Sequence, residues 1–366
     1  MLATLPKLAD KAFILGFFLP TLLLVLAIAG LFHDQPWGAK VLAVASQKDG
    51  WDALAYFALA VWGVAVLLMM ANHMQLQILE GYRWPVSKMS IFRRREQKRF
   101  ERKKARADQL TEQWDTEDEK FSEDGKSELA RLLRELAHEF PPDPADQLPT
   151  RLGNAIRAFE VYSSKVYGAD SIPLWLHLST VISADFQSAL DDARAQVNCA
   201  VNICFFAATV SLLAVARLLC GIEWHVLGTP PYSWDHAAAF FNYTNAIYLL
   251  VALAAAIVCR LAYLFSIELV YAWGDLVKAA FDCYLPDLAK KMGFELAETA
   301  DQRVAFWLAV SRQAIYWTQL KPEQWKPPAN KPARNDQPGP MDQFAKLIGL
   351  MVRDRSTRRR KPPAVK

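Results

Sequence analysis

The chain has 366 residues, of which 53% are hydrophobic and 22% are charged, and its formal net charge is only +4. Length alone would suit two soluble domains, but the apolar residues are concentrated in a few blocks, which excludes that organisation. The five cysteines are odd in number and form no Cys-x-x-Cys pair. The sequence therefore supports neither a disulfide framework nor a zinc site, and no cofactor is expected.

Four apolar blocks are long enough to cross a bilayer, which takes about 20 consecutive apolar residues. The predicted spans lie at about residues 12–31, 53–71, 197–219 and 245–267. They form two transmembrane hairpins, residues 1–72 and 197–270, separated by a helical insert at residues 73–196. The sequence thus predicts an all-α, four-span membrane protein whose cytosolic helical domain is formed by the insert and the C-terminal region.

A basic region directly follows the second predicted span. Residues 83–106 contain 11 cations and two anions, and an excess of Lys and Arg marks the cytoplasmic flank of a span. Four spans then place the insert and both termini in the cytoplasm. Six cations of this region are candidate contacts for anionic lipid: Arg93, Arg94, Arg95, Arg102, Lys103 and Lys104.

A second interpretation of the basic region needs no lipid. The acidic stretch at residues 108–139 suits a helix that pairs with the basic one, as two solvated faces of opposite charge. Leucines at helical spacing predict an amphipathic helix at residues 127–140 of this stretch. Few aromatic residues interleave with the cations, which disfavours nucleic acid as a partner.

Residues 148–175, called the knuckle below, predict a helical docking or coupling element. The Thr150 hydroxyl is placed to cap a helix, and Leu152, Ile156, Phe159 and Val166 recur on one face of it. Gly153 stands alone, whereas a phosphate cradle needs several glycines, and no nucleophile–base pair is recognisable. The candidate docking or coupling residues are Thr150, Arg151, Asn154, Arg157, Tyr162 and Trp175.

Three stretches, PTRLGNAIRAFE, VYGADSIPLW and FDCYLPDLAKKMGFELAETADQRVAFWLAV, resemble a group of uncharacterised bacterial multipass membrane proteins. Members of that group carry a PTRLGN segment before a transmembrane pair and an FDxYxxDLxxxxG segment after it. The resemblance covers about residues 149–320. It departs after Trp175, where Leu176, His177 and Leu178 replace the expected Pro-Arg-Leu. The resemblance implies a bacterial inner-membrane protein and transfers no catalytic residue.

Polar residues within membrane spans are costly and are functional candidates by default. Arg260 lies either at the inner boundary of the fourth span or in a water-filled interior of the bundle. Arg217 is at the outer end of the third span, where its long side chain can reach the headgroups. Asn198 and Asn202 share one face of that span and can bond to a neighbouring helix. These four residues are the candidate pore or intramembrane polar residues.

The C-terminal region is expected to contain two recognition elements. Residues 271–320 fold back on the insert through five apolar side chains: Phe306, Trp307, Val310, Ile315 and Trp317. Residues 321–366 comprise a Pro-rich linker, an amphipathic helix and a basic tail. Phe344, Leu347 and Ile348 lie on the apolar face of that helix, which suits either an anionic membrane surface or a groove on a partner.

Together these features predict a non-catalytic scaffold or signalling subunit of the bacterial inner membrane, which binds partners or other copies through its cytosolic helical domain. The alternative is an oligomeric gated ion channel or membrane-permeabilising effector controlled by that domain. The expected partners are a bilayer with anionic lipid at its cytosolic face and a homo-oligomer or membrane complex. No enzymatic activity is expected, since the sequence holds no catalytic motif.

Overall fold

The computed structural model describes residues 11–46, 50–117, 121–220, 243–296 and 298–317. Every regular element within these ranges is a helix, as predicted. The chain divides into two compact units. Unit 1 comprises the chain up to Ile78 together with Ala184–Trp273, and unit 2 comprises Leu79–Ser183 together with the chain from Gly274 onward.

The helices follow one another with short connections in most of the described chain. In chain order they are α1 (Lys11–Leu31), α2 (Pro36–Ala45), α3 (Trp51–Glu80), α4 (Ser90–Glu117), α5 (Glu123–Glu139), α6 (Arg151–Glu160), α7 (Tyr162–Tyr167), α8 (Ser171–Leu178), α9 (Ala184–Cys220), α10 (Tyr243–Lys291) and α11 (Ala300–Tyr316).

Four of these helices, α1, α3, α9 and α10, are long and apolar enough to cross a membrane. The chain is therefore a multipass membrane protein. With 37 residues in α9 and 49 in α10, both helices exceed the roughly 20 residues that a bilayer needs. Helix α9 thus runs unbroken from Ala184 through the third predicted span.

Unit 1 is organised by the packing of α1 along α9. Leu31 shares a buried cluster with Ala214 of α9 and Ala252 of α10. Farther along α1, Phe17 shares another cluster with Ala65 of α3. Small residues at these contacts let helix backbones approach closely, which is the usual way that helices associate within a membrane.

Pro20 shapes α1 through the carbonyl group of Gly16. Proline has no N–H, so the oxygen four residues earlier loses its α-helical donor. The backbone forms a π-helical turn at Ile14–Phe18, a common response to an interrupted hydrogen-bond ladder. The Nδ2 atom of Asn202 donates to the Gly16 oxygen at 2.7 Å. Asn202 thus supplies a donor that Pro20 cannot, and it links α9 to α1.

In unit 2, α4 and α5 pack against each other around a leucine-rich core. The Ser122 hydroxyl caps α5 by accepting from the N–H of Gly125 at 3.0 Å. The amphipathic helix predicted at residues 127–140 is confirmed, and it begins four residues earlier because of this cap. Leu129, Leu132 and Leu133 form its buried face, as the spacing of the sequence predicts.

The knuckle consists of α6, α7 and the first part of α8. Gly168, with φ of 74°, ends α7 in the left-handed conformation that glycine tolerates best. The helix that follows, α8, was not predicted from the sequence. Asp170 caps α8 by accepting from the N–H of Ile172 at 3.2 Å, and Pro173 falls in the first turn, where a proline needs no hydrogen-bond partner.

Helix α11 packs against α7 and α8. Phe306, Trp307 and Val310 are buried there, as predicted. The predictions for Ile315 and Trp317 were wrong, because these side chains are 44% and 90% exposed. Ile315 lies about 140° around the helix from Val310 at 100° per residue, and Trp317 follows the last helical residue with a φ of 56°.

Candidate functional site

The knuckle binds the C-terminal end of α3. The Thr150 hydroxyl accepts from the N–H of Gly153 at 2.9 Å, which confirms the predicted helix cap. The same hydroxyl donates to the carbonyl oxygen of Glu80, the last residue of α3 and part of unit 2, at 3.1 Å. The last carbonyls of a helix lack partners within the helix. Thr150 therefore caps one helix and satisfies the end of another.

Two glycines allow this close approach. A Cβ on Gly153 would lie 2.2 Å from the Glu80 oxygen, and a Cβ on Gly81 would lie 2.3 Å from Cγ of Pro149. Gly81 also has a φ of 93°, which ends α3 in the left-handed region. The glycine of the PTRLGN motif is thus required for helix packing, in agreement with the expectation that it does not form a phosphate cradle.

The Asn154 side chain hydrogen-bonds to the segment that leads into the knuckle. Its side chain is 0% exposed. It accepts from the N–H of Leu148 at 2.7 Å and donates to the carbonyl of Leu148 at 3.0 Å. Because both ends of the amide are used inside the fold, Asn154 suits the coupling role among the predicted alternatives and is unsuited to docking.

Charged side chains surround the knuckle helices. Arg157 lies 3.0 Å from Asp146 and 3.5 Å from Glu160, and Arg151 lies 3.9 Å from Glu139. Burial raises the pKa of the Glu160 carboxyl, and the nearby Arg157 only partly offsets that effect. These arginines therefore act within unit 2, which again favours coupling over docking.

A second set of contacts joins the knuckle to the part of α10 that belongs to unit 2. The Tyr162 hydroxyl donates to Oδ1 of Asp282 at 3.0 Å, and the Tyr167 hydroxyl donates to the same oxygen at 2.8 Å. Burial and the adjacent carboxylate raise the pKa of both phenols, that of Tyr167 to about 12. Both hydroxyls consequently stay protonated and donate at neutral pH.

Apolar contacts reinforce this attachment to α10. The rings of Trp175 and Phe281 lie 6.1 Å apart between centroids. A Cβ on Gly274 would lie 2.6 Å from Cδ1 of Phe159, so α10 approaches α6 closely here. Residues of the VYGADSIPLW and FDCYLPDL stretches, such as Tyr167 and Asp282, which are 115 positions apart in the chain, thus meet in one site. The sequence analysis did not predict this meeting, and Asp282 was not among its candidate residues.

The basic and acidic helices pair as the second interpretation predicted. Lys103 donates to Glu135 at 2.7 Å and to Glu139 at 2.6 Å, and Arg99 donates to the same Glu139 carboxylate. Arg106 forms a two-pronged pair with Glu128, at 3.0 and 2.9 Å. The prediction of Lys103 as a lipid contact was therefore wrong, because its ammonium group faces α5.

The other predicted lipid contacts lie on the surface of unit 2. Arg93, Arg94, Arg95, Arg102 and Lys104 are all exposed. Lys98, which the sequence analysis did not select, is exposed as well. Lys98 could have been found from its position, since its spacing puts it on one helical face with Arg94, Arg95 and Arg102.

Neutral amides connect the helices of unit 1. Asn72 donates to Oδ1 of Asn198 at 3.1 Å, and Asn202 donates to Gly16 as described above. Both predicted asparagines therefore bond to neighbouring helices, as expected. Oxygens of Asn72, Gln75 and Asn202 are buried and have no hydrogen-bond partner among the described residues. Asn72 and Gln75 were missed because they follow the charge-free run of the second span.

The two arginines of the predicted spans differ in their surroundings. Arg217 donates to Asp34 at 2.6 Å and to the Tyr248 hydroxyl at 2.7 Å, so its guanidinium is engaged within the protein rather than extended freely to headgroups. Arg260 is exposed on α10 and lies 5.8 Å from the Tyr263 ring. Arg260 is therefore not packed inside unit 1, and its two predicted locations, the inner boundary of the span and a water-filled interior of an oligomeric bundle, stay predictions.

Two further expectations concern metals and the tail. Within the described ranges, no group of three or more His, Cys, Asp and Glu side chains is arranged to hold a metal ion. Phe344, Leu347 and Ile348 lie outside the described residues.

No protein-family model, curated protein or solved structure matches this chain. The resemblance carried by the PTRLGN and FDxYxxDL motifs therefore stays a prediction, as do the activity and partners of the protein.

Proposed function

We propose that the protein is a non-catalytic scaffold or signalling subunit of the bacterial inner membrane, with unit 2 and both termini in the cytoplasm. The observation that carries this proposal is the double attachment of the knuckle. Thr150 bonds to Glu80 at the end of α3, and Tyr162 and Tyr167 bond to Asp282 in α10. Both helices have membrane-crossing length. The excess of cations at residues 83–106 supports the cytoplasmic side.

The packing of the knuckle suits coupling. Gly153 lies against the Glu80 carbonyl without a gap, so a shift of that helix end cannot be absorbed locally. Close-packed interfaces respond to such shifts by moving as bodies rather than by deforming. The knuckle would therefore transmit displacement between the end of α3 and the Asp282 region of α10, and a bound partner would sense or impose that displacement.

A surface for partners is available on two adjacent helices of unit 2. On α8, Ile172 and Leu176 are exposed, the latter to 75%. Helix α11 packs against α8 and exposes Leu308 and Ile315. Exposed apolar side chains grouped on neighbouring elements are typical of protein–protein contacts. We assign partner binding to this surface and take a second copy of the chain as the first partner to test.

The test is the mass of the full chain in lipid nanodiscs, combined with cross-linking in native membranes. We expect the wild type to form oligomers or a defined complex that Leu176→Asp with Leu308→Asp disrupts, since buried carboxylates at a contact are costly. Gln113→Asp, an exposed change on α4, is the matched control and should leave the assembly intact. The proposal would be contradicted if the wild type remains a single chain and forms no cross-link that the double variant loses.

A gated channel is the second candidate, and one observation favours it. The buried oxygens of Asn72, Gln75 and Asn202 have no partner among the described residues. Leaving such a group unpaired costs about 1–3 kcal/mol, so water entering this part of unit 1 would be stabilising. A hydrated bundle is what an ion path requires.

Ion flux into proteoliposomes distinguishes the two candidates. A channel should show a leak that Asn202→Leu alters, whereas Arg260→Leu, an exposed change on α10, should leave the leak unchanged. Circular dichroism of both variants checks that the helices persist. Absence of flux from the wild type under all gradients tested would favour the scaffold.

A further inference from the structure

Helix α4 has a second charged face, separate from the one that pairs with α5. Residues 91, 94, 95, 98 and 102 repeat at helical spacing and share this face. All five are exposed. The face carries one apolar and four basic side chains, called the basic strip below: Ile91, Arg94, Arg95, Lys98 and Arg102. The opposite face, with Phe100, Ala107 and Leu110, is buried.

The basic strip is poorly suited to the stability of its own helix. Arg94, Lys98 and Arg102 follow one another at four-residue spacing in α4. Like charges at this spacing destabilise a helix. Arg94 and Arg95 form no ion pair with other residues that the structure describes. An anion from outside the chain would remove this unfavourable interaction. The acidic side chains of α5 do not remove it, because they pair with the other face of α4.

Exposed apolar side chains directly precede the basic strip in the chain. In the segment between the end of α3 and the second residue of α4, Tyr82, Trp84, Met89 and Ile91 are all more than 40% exposed, Trp84 to 73%. Trp and Tyr beside Lys and Arg are typical of residues at the membrane–water interface. Trp84 follows Glu80, where the membrane-crossing helix α3 ends, by only four residues, so chain connectivity keeps it near that helix end.

We propose that the basic strip and the apolar side chains of Trp84 and Met89 bind the anionic headgroup region of the bilayer. The cations pair with lipid phosphates, and the apolar side chains enter the boundary between headgroups and acyl chains. Nucleic acid fits less well, because Met89 and Ile91, which are exposed alongside Tyr82 and Trp84, cannot stack on bases and instead suit the boundary with the acyl chains. Relative to the sequence-based candidates, the strip gains Lys98 and loses Arg93, Lys103 and Lys104. Arg93 and Lys104 lie outside this helical face, and Lys103 bonds to Glu135 and Glu139.

The first test is native mass spectrometry of the purified full chain titrated with phosphatidylglycerol or phosphatidylcholine. A basic residue near an anionic surface strengthens binding by roughly fivefold. Arg94→Gln, Arg95→Gln and Lys98→Gln combined should therefore weaken phosphatidylglycerol binding by on the order of 100-fold and leave phosphatidylcholine binding unchanged. The control combines Arg131→Gln, Arg134→Gln and Lys165→Gln, which remove the same charge from exposed positions elsewhere in unit 2. Equal losses in the two triple variants, or no loss in either, would overturn the proposal.

The second test locates Trp84. In vesicles with lipids brominated near the headgroup end of the acyl chain, tryptophan emission should be quenched more in the wild type than in Trp84→Phe. Equal quenching would place Trp84 away from the bilayer and overturn the apolar half of the proposal. Binding of a single-stranded oligonucleotide to the basic strip, without binding of phosphatidylglycerol, would overturn the other half.

Discussion

Units 1 and 2 bury polar side chains of different kinds. The buried polar side chains described in unit 1 are neutral, as in Asn72, Asn198 and Asn202. Those of unit 2 include the carboxylates of Glu80 and Glu96. Glu96 lies 3.1 Å from Arg99, which offsets part of the cost of burying its charge. The membrane-crossing helices of unit 1 use neutral amides, which avoid the cost of a charge within a bilayer. Both units therefore contain buried polar contacts, but of different chemistry.

The largest expected effect tests how tightly unit 2 is packed relative to unit 1. Gly153→Ala places a Cβ 2.2 Å from a backbone oxygen, and relief requires the helices to separate. We expect a loss of about 3 kcal/mol in the free energy of unfolding. Gly63→Ala in α3 is the matched control, because a Cβ there has nothing within 4 Å. Denaturant titration in detergent would measure both, and equal losses would contradict the difference in packing.

The next effect compares two buried asparagines. Asn154→Leu in unit 2 leaves the N–H and the carbonyl of Leu148 without their side-chain partner, which should cost about 2–3 kcal/mol. Asn202→Leu in unit 1 loses a single bond to Gly16, and such bonds between membrane helices contribute about 0.6 kcal/mol on average. The same denaturant titration applies. A larger loss for Asn202→Leu would show that unit 1 depends on its amides more than unit 2 does.

Acidity should affect unit 2 through its buried carboxyls. Burial raises the pKa of Glu96 and Glu160 above the usual value of 4.5. Each such group favours folding fully below its unfolded pKa, and this contribution is lost as the pH rises through the folded pKa. The free energy of unfolding should therefore increase as the pH falls from neutral toward the unfolded value of 4.5.

His138 opposes this trend and sets the design of the experiment. Burial lowers its pKa below 6.5, so its contribution to stability is fully present above 6.5 and is lost as the pH falls from 6.5 through the lower pKa of the folded state. We would therefore compare His138→Gln with His138→Gln plus Glu160→Gln. The second variant should show a flatter pH dependence, and identical slopes would exclude Glu160 as a source of the effect.

The smallest effect is expected at the surface of unit 1. Arg260 is exposed and contacts the Tyr263 ring at 5.8 Å. Arg260→Leu should change the free energy of unfolding by less than about 0.5 kcal/mol. Thermal unfolding in nanodiscs measures this directly. A larger change would indicate that Arg260 is covered by another molecule in the membrane.

Much of the architecture could be predicted because it depends on local patterns. Long apolar blocks identified the four membrane-crossing helices, the Thr150 cap followed from a single side chain, and opposite charges predicted the pairing of α4 with α5. The side that each residue faces was harder to predict. Lys103 and Arg102 are neighbours in sequence, yet only the rotation of α4 directs Lys103 to Glu139 and Arg102 to the surface.

Long-range contacts were beyond the sequence for a different reason. The residues around Tyr162 and around Asp282 do not indicate that these two side chains meet. The two are far apart in the chain and come together only when α6, α7 and α10 have packed. The prediction that Val166 lies on the apolar face of the knuckle was wrong. The helix breaks between Glu160 and Tyr162, and the change of helical phase leaves Val166 exposed.

The contact between Gly16 and Asn202 makes two distant positions dependent on each other. Asn202 donates to an oxygen that is open because residue 20 is a proline. A Pro20→Ala chain would regain the backbone donor and would need the amide less. A double-mutant cycle should then give a smaller loss for Asn202→Leu in the Pro20→Ala background than in the wild type. Among related sequences, a proline at position 20 and a donor at position 202 should be gained and lost together.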